Sequence, residues 1–120
     1  MQAIIGIANA YYDTGNAEKA ISYYKKAIEI DDEISDVYYN LANSYYLINK
    51  IDEAIENYER ALKLNPKKIE AYYNIGNSYC NKNDFNQAIH YYTKAISFDP
   101  GHEPAVYNLG YAFHRTGDLE

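Results

Sequence analysis

The sequence predicts an all-α solenoid, a stack of helix pairs in which each pair buries its apolar face against its neighbours. The main observation is a segment that repeats with a period of 34 residues. It stands at 38–45 (YYNLANSY), 72–79 (YYNIGNSY) and 106–113 (VYNLGYAF), with a weaker copy at 4–11 (IIGIANAY). A fixed period of this length is typical of repeat architectures. Within each period, apolar residues recur at the three-and-four spacing of an amphipathic helix.

The period divides the chain into three full repeats, 1–34, 35–68 and 69–102, and a half repeat, 103–120. Each full repeat contains two predicted helices and the half repeat contains one, which makes seven helices in all. In the second repeat, the apolar face of the first helix consists of Tyr38, Leu41, Ala42 and Tyr45. The apolar face of the second helix consists of Ala54, Ile55, Tyr58, Ala61 and Leu62.

Residues that tolerate a left-handed backbone stand where each first helix should end. The four predicted turns are Gly15-Asn16, Asn49-Lys50, Asn83-Asp84 and Gly117-Asp118. Pro66 and Pro100 stand at the ends of the second and third repeats, where a proline prevents the helix from continuing, and Asp32 takes that place in the first. Connections this short predict antiparallel neighbouring helices.

Small residues recur at fixed places in both helices of each repeat. In the first helices they are Ala8, Ala42, Gly76 and Gly110, and in the second helices Ala20, Ala54 and Ala88. Large aromatic residues alternate with them. We therefore expect paired helices to approach closely where the small side chains meet.

This pattern resembles the tetratricopeptide repeat: Leu-Gly or Leu-Ala, then Tyr, Ala, Tyr, Ala and Pro at the family's spacing. The resemblance covers all 120 residues, although the helix starts lack Trp. It implies a single domain folded as a right-handed superhelix, whose first helices line a concave groove that binds segments of other proteins. Because the last repeat is half a unit, we expect a fragment of a longer array.

The face of each first helix opposite its buried stripe is the candidate binding surface. An ordinary solvated helix face would carry Lys and Glu, but these faces carry Asn and Tyr, which are poorer helix formers. We call the following residues the Tyr/Asn surface: Asn9, Tyr12, Tyr39, Asn40, Asn43, Tyr46, Tyr73, Asn74, Asn77, Tyr107, Asn108 and Tyr111. Asn can pair with a peptide backbone in both directions, and Tyr provides rigid contact area. Alternatively, the asparagines form structural bonds between neighbouring repeats, and both roles can hold together.

The charge of these helices predicts the class of partner. Some tetratricopeptide proteins bind the acidic C-terminus of chaperones through a basic clamp. Here the clamp's Lys and Arg places hold Ile5, Glu70 and Asn74, and only Asn9 and Asn40 match. We therefore expect a neutral to mildly basic peptide segment instead.

The composition excludes several other partners. A formal net charge of −6 argues against nucleic acid, which requires a dense Lys/Arg surface. No apolar run is long enough to span a membrane, so no membrane insertion is expected. Cys80 is the single cysteine, which rules out an internal disulfide and is compatible with a cytoplasmic protein.

No motif for catalysis, cofactor binding or metal binding is visible in the sequence. The three histidines, His90, His102 and His114, lack the spacing of metal ligands, and no phosphate loop or nucleophile elbow is present. We expect a chain that is not an enzyme and that carries no cofactor.

Apolar residues near both ends predict self-association. Ile4 and Ile7 lie in the first helix, and Leu109 and Phe113 lie in the last. They match residues that pack on a neighbouring helix elsewhere in the repeat, so end-to-end contact between copies would cover them. Three hypotheses follow: a peptide-binding module, a self-assembling scaffold, or the recognition arm of a larger enzyme such as a glycosyltransferase.

Overall fold

The computed structural model describes residues 1–117, which form two compact units, Met1–Pro66 and a second that begins at Lys67. The first unit contains four helices: α1 (Gln2–Asp13), α2 (Ala17–Ile30), α3 (Ser35–Leu47) and α4 (Ile51–Leu64). The second contains three: α5 (Ile69–Asn81), α6 (Phe85–Phe98) and α7 (Glu103–Thr116). Seven helices in residues 1–117 confirm the predicted number. None of them is both long enough and apolar enough to cross a membrane.

The predicted turns lie where the chain adopts a left-handed backbone. The backbone angle φ is +85° at Gly15, +64° at Asn49, +61° at Asn83 and +78° at Gly117. Each residue lets the chain leave a first helix and reverse within a few positions. Asp118, the second residue of the last predicted turn, lies outside the described residues, as do residues 119 and 120.

The core of the first unit forms where α1 packs on α2, α2 on α3, and α3 on α4. The predicted faces of the second repeat are confirmed, since Leu41, Ala42, Ala54 and Tyr58 are all buried. Tyr24 in α2, the counterpart of Tyr58, is fully buried as well. Small residues on one helix thus leave room for a whole tyrosine ring from its partner.

The core of the second unit shows how tight this contact is. A Cβ atom added to Gly76 would lie 2.6 Å from a ring carbon of Tyr92, closer than real side chains approach. Tyr92 is itself only 1% exposed. Gly110, at the equivalent place in α7, is exposed and would meet nothing within 4 Å.

A candidate peptide-binding surface on the first helices

The Tyr/Asn surface lies on the first helix of each repeat, and ten of its twelve residues are half-buried, while Tyr107 and Tyr111 are exposed. The α-helical register puts Asn9 of α1 beside Asn40 of α3 in the first unit. It puts Asn77 of α5 beside Asn108 of α7 in the second. All four are partly exposed, so each side chain reaches both the protein interior and the surface.

In the first unit these side chains meet at a buried tyrosine hydroxyl. The Tyr24 hydroxyl in α2 donates a short hydrogen bond to Oδ1 of Asn9. Nδ2 of Asn40 donates to the same oxygen at 3.4 Å, which links the first repeat to the second. In the second repeat, the Tyr58 hydroxyl donates to Oδ1 of Asn43 in the same way.

The second unit repeats this junction with additional partners. The Tyr92 hydroxyl donates to Oδ1 of Asn77, and Nδ2 of Asn108 donates to that oxygen at 3.1 Å. Nδ2 of Asn108 also lies 3.1 Å from the Tyr73 hydroxyl. The thiol of Cys80 is 3.4 Å from the Tyr92 hydroxyl. Cys80, the single cysteine, therefore contacts the junction from the same helix as Asn77.

Burial raises the pKa of the Tyr24 and Tyr92 phenols, so they remain protonated hydrogen-bond donors to higher pH. It raises the pKa of Tyr24 to about 12, with smaller contributions from the Asp13 carboxylate and Tyr12, while the hydrogen bond from Asn40 acts in the opposite direction. Burial, and then the contact with Cys80, also raises the pKa of Tyr92. The pKa of Tyr12 is raised by burial and by Asp13.

These bonds use only half of each amide. Oδ1 of Asn9 accepts two bonds, but no residue in 1–117 accepts from its Nδ2. Oδ1 of Asn40 likewise has no donor within that range. The alternative role considered for the asparagines, hydrogen bonds between neighbouring repeats, is therefore present. Nδ2 of Asn9 and Oδ1 of Asn40 have no partner within residues 1–117.

A cleft of about 260 Å³ opens over these two amides. It lies between α1 and the start of α3, within the first unit. Its lining consists of Gln2, Ile5, Asn9, Ile34, Asp36, Val37 and Asn40. The cleft combines apolar walls with one carboxylate and three side-chain amides, and ligand sites commonly combine an apolar lining with a few polar groups in this way.

Four of the six tyrosines of the Tyr/Asn surface fall into two groups. Tyr107 and Tyr111 on α7 are 78% and 45% exposed. Tyr39 and Tyr73 pack against Tyr58 and Tyr92, with ring centroids 5.7 Å and 5.9 Å apart. The remaining members, Tyr12, Tyr46, Asn43 and Asn74, are half-buried.

Three contacts at the surface were missed by the sequence analysis. The hydroxyls of Tyr24, Tyr58 and Tyr92, interpreted only as core, anchor the asparagines. The signal was available, because each tyrosine follows its asparagine by 15 positions in every full repeat. His102, considered incidental, accepts from the backbone N–H of Ala105 and so caps α7. Arg115 lies 4.8 Å from the ring of Phe85, a contact that no repeat position predicts.

The predicted end-to-end residues are only partly exposed. Ile4, Leu109 and Phe113 are half-buried, and Ile7 is 42% exposed. Val106, which the prediction did not include, is 49% exposed. On α7, Val106 and Gly110 are therefore exposed, whereas the predicted contact residues Leu109 and Phe113 are half-buried.

Within residues 1–117, no group of three or more His, Cys, Asp or Glu side chains could hold a metal ion. The side chains of the Tyr/Asn surface can form hydrogen bonds and aromatic contacts. Its residues carry amides and phenols that can bind a chain of peptide groups, since peptide groups offer the complementary donors and acceptors.

Comparison with protein families gives two matches. The family described as TPR repeat matches residues 8–49 and 42–82, and the family described as tetratricopeptide repeat matches residues 69–102. No curated protein matches the chain by sequence.

Comparison with solved structures gives closely similar folds. A crystal structure of MamA has a TM-score of 0.96 at 30% identity and covers 98% of this chain and 69% of that one. The second domain of human RPAP3, solved with the HSP70 peptide SGPTIEEVD, has a TM-score of 0.85 at 24% identity, with 89% of both chains covered. The first domain of Spaghetti (RPAP3), bound to the HSP90 peptide SRMEEVD, has a TM-score of 0.92 at 21% identity, covering 97% of this chain and 92% of that one. These likenesses confirm the predicted all-α solenoid.

Proposed function

We propose, since this chain belongs to the tetratricopeptide repeat family, that it is a protein-interaction module whose Tyr/Asn surface binds an extended peptide segment of a partner protein. The observation that carries the proposal is the cleft between α1 and α3. Its lining includes Asn9 and Asn40, and neither the Nδ2 donor of Asn9 nor the Oδ1 acceptor of Asn40 is bonded to a residue in 1–117. A peptide bond presents one acceptor and one donor, so an extended backbone can satisfy both amides.

The charge of the first helices supports a neutral or mildly basic segment. No Lys or Arg occurs in α1, α3 or α5, and each contains one acidic residue: Asp13, Asp36 and Glu70. The fourth first helix, α7, contains Glu103 and Arg115, and Nη1 of Arg115 donates to the Tyr111 hydroxyl at 3.0 Å. The RPAP3 domains named above hold peptides that end in EEVD, which carry several carboxylates. Such carboxylates would meet no cation on α1, α3 or α5, and like charges across an interface are repulsive. We therefore propose a ligand class different from theirs.

A selection experiment tests this proposal. The immobilised chain is used to select binders from a random peptide library, and their affinity is measured by fluorescence anisotropy, with SRMEEVD as the acidic comparison. We expect selected peptides with zero or positive net charge and no binding of SRMEEVD. Selection of acidic peptides, or failure to select any, would contradict the proposal.

Two variants on α7 test whether peptide binding depends on the Tyr/Asn surface or on α7 in general. Tyr107→Ala removes a highly exposed member of the Tyr/Asn surface, and Val106→Ala truncates its exposed neighbour, which lies outside that surface. We expect Tyr107→Ala to weaken the selected peptide by about fivefold or more, a typical loss for an aromatic contact residue, and Val106→Ala to leave affinity unchanged. Equal effects of the two substitutions would place the binding site elsewhere.

Self-assembly is a second candidate, favoured by the open part of α7. Val106 is 49% exposed, and Gly110 leaves a gap in the same helix where the equivalent Gly76 contacts a tyrosine ring. A helix of a second copy could fill that gap. Light scattering over a concentration series should show association that Val106→Lys abolishes. A chain that is monomeric at all concentrations would leave peptide binding as the only candidate.

A further inference from the structure

A second cavity, of about 400 Å³, lies away from the Tyr/Asn surface and within the first unit. Its lining comes from α2, α3 and α4, and none of its residues belongs to the Tyr/Asn surface. Its polar and charged lining residues are Tyr45 on α3, Asn57 on α4, the glutamates Glu29, Glu53 and Glu56, and the cations Lys25 and Arg60.

Asn57 contributes a buried acceptor without a partner. The residue is only 4% exposed, and its Nδ2 donates to the backbone oxygen of Glu53 at 2.8 Å. This bond fixes the orientation of the amide, because the reverse orientation would bring two oxygens together. Oδ1 of Asn57 is buried and receives no hydrogen bond from any residue in 1–117. Buried acceptors without a partner are rare in folded proteins, so this oxygen is a candidate acceptor for a donor from a bound molecule.

The other repeats show what is missing at this position. The counterpart of Asn57 is Tyr23 in the first repeat and Tyr91 in the third. Tyr23 stacks on Tyr11, and Tyr91 stacks on Tyr79, each with ring centroids 5.7 Å apart. Tyr45 is the second-repeat counterpart of Tyr11 and Tyr79, but the short side chain of Asn57 cannot supply a ring. The cavity therefore borders a tyrosine whose usual planar partner is absent.

The charge around the cavity is also particular to this place. Glu29, Glu53 and Glu56 line it. None of the equivalent positions in the other two full repeats is acidic: they hold Lys63 and Ser97 for Glu29, Lys19 and Gln87 for Glu53, and Ser22 and His90 for Glu56. Glu56 already pairs with Arg60 at 3.5 Å. Glu29 and Glu53 form no ion pair with any residue in 1–117. Lys25 and Arg60 also line the cavity, so three carboxylates and two cations face it, and the lining as a whole is acidic.

We infer that this cavity binds a guanidinium group, presented as an arginine side chain of a partner protein. A guanidinium is planar and stacks on tyrosine, and its five N–H donors can serve Oδ1 of Asn57 together with a carboxylate. A lysine ammonium lacks the plane, and a neutral aromatic side chain would leave Glu29 and Glu53 unpaired. Lys25, whose Nζ lies 5.7 Å from the centroid of the Tyr45 ring, already shows that a cation is accommodated over this face.

The site is tested by titrating the ¹⁵N-labelled chain with N-acetylarginine methylamide and, separately, with the corresponding lysine compound. We expect the arginine compound to shift the side-chain amide signals of Asn57 and to bind about fivefold more tightly than the lysine compound. No shift at Asn57, or equal binding of the two compounds, would overturn the inference.

Three variants identify the residues responsible. Asn57→Tyr fills the cavity with the ring that the other repeats carry and should abolish binding of the arginine compound while helicity is kept. Glu53→Gln should weaken it by about threefold to fivefold, the value of one exposed ion pair. Glu18→Gln, an exposed change on α2 outside the cavity, should have no effect. Binding unchanged in Glu53→Gln would overturn the inference even if Asn57→Tyr does not fold.

Discussion

At the scale of single residues, the Tyr/Asn junction joins stability to recognition. A tyrosine hydroxyl that is buried in the core determines the orientation of Asn9, and Asn9 in turn bonds Asn40 of the next repeat. The side chains that would contact a peptide are thus held in place before it arrives. Such preorganisation lowers the entropy that binding would otherwise cost.

Asn9→Ala tests the structural half of this arrangement. The substitution leaves the Tyr24 hydroxyl buried without its acceptor, so we expect the free energy of unfolding to fall by about 1–3 kcal/mol. Asn86→Ala, at an exposed position of α6, is the matched control and should change it by less than about 0.5 kcal/mol. Urea denaturation followed by circular dichroism measures both. A loss in Asn9→Ala no larger than in the control would show that the junction adds nothing to stability.

The raised pKa of Tyr24 predicts a loss of stability in alkali. Below its ordinary pKa of 10.0, the Tyr24 phenol is protonated in both the folded and the unfolded chain, and its full contribution to the free energy of unfolding is present. Between pH 10 and about 12, the unfolded chain releases this proton while the folded chain retains it, so stability falls as pH rises. The urea midpoint, measured from about pH 9 to about pH 11.5, should therefore fall less steeply in Tyr24→Phe than in the wild type. Parallel curves would contradict this.

Gly76 and Gly110 form a matched pair for testing close packing. Both lie inside helices, where Gly→Ala normally stabilises by about 0.5–1 kcal/mol. Gly110→Ala should show that gain, because nothing lies within 4 Å of the added atom. Gly76→Ala would bring it 2.6 Å from the Tyr92 ring, so we expect that variant to be at least about 1 kcal/mol less stable than Gly110→Ala. Equal thermal midpoints of the two variants would mean that the Tyr92 ring can move away from the added methyl group at no cost.

At the scale of helices and turns, most of the structure could be predicted. Spacing of apolar residues indicated which face of each helix is buried, and Gly or Asn indicated where each first helix ends. Both signals are local and depend on the backbone alone. The pairing of Asn9 with Tyr24 is different, because it depends on two helices meeting at a particular register. Only the recurrence of that separation in every repeat could have indicated it.

The left-handed turn at Asn83 gives a prediction for an element boundary. Its φ of +61° is unfavourable for residues with a Cβ, and Asn tolerates it better than Ala does. We expect Asn83→Ala to cost about 1 kcal/mol and Asn83→Gly to be neutral or stabilising. Thermal unfolding of the two variants distinguishes these effects. If both substitutions change the midpoint in the same direction and amount, the turn is not constrained at this residue.

At the scale of the whole molecule, fold and ligand differ in how far the sequence determines them. A periodic sequence specifies a solenoid because every repeat makes the same contacts with its neighbours. The Tyr/Asn surface recurs with the same period, whereas the proposed arginine site lies where the repeats differ, and such differences follow no period. Asn57, which replaces a tyrosine, and the glutamates around it illustrate this, since only the structure brings them together.

The most direct measurement of the central claim is a spectroscopic map of peptide contact on the first helices. A peptide selected by the chain is titrated into the ¹⁵N-labelled protein, and the side-chain amide signals of asparagine are followed. We expect those of Asn9, Asn40, Asn77 and Asn108 to shift, and that of the exposed helix-cap residue Asn16 to remain unchanged. Shifts confined to the second helices, with these four amides unaffected, would contradict peptide binding at the Tyr/Asn surface.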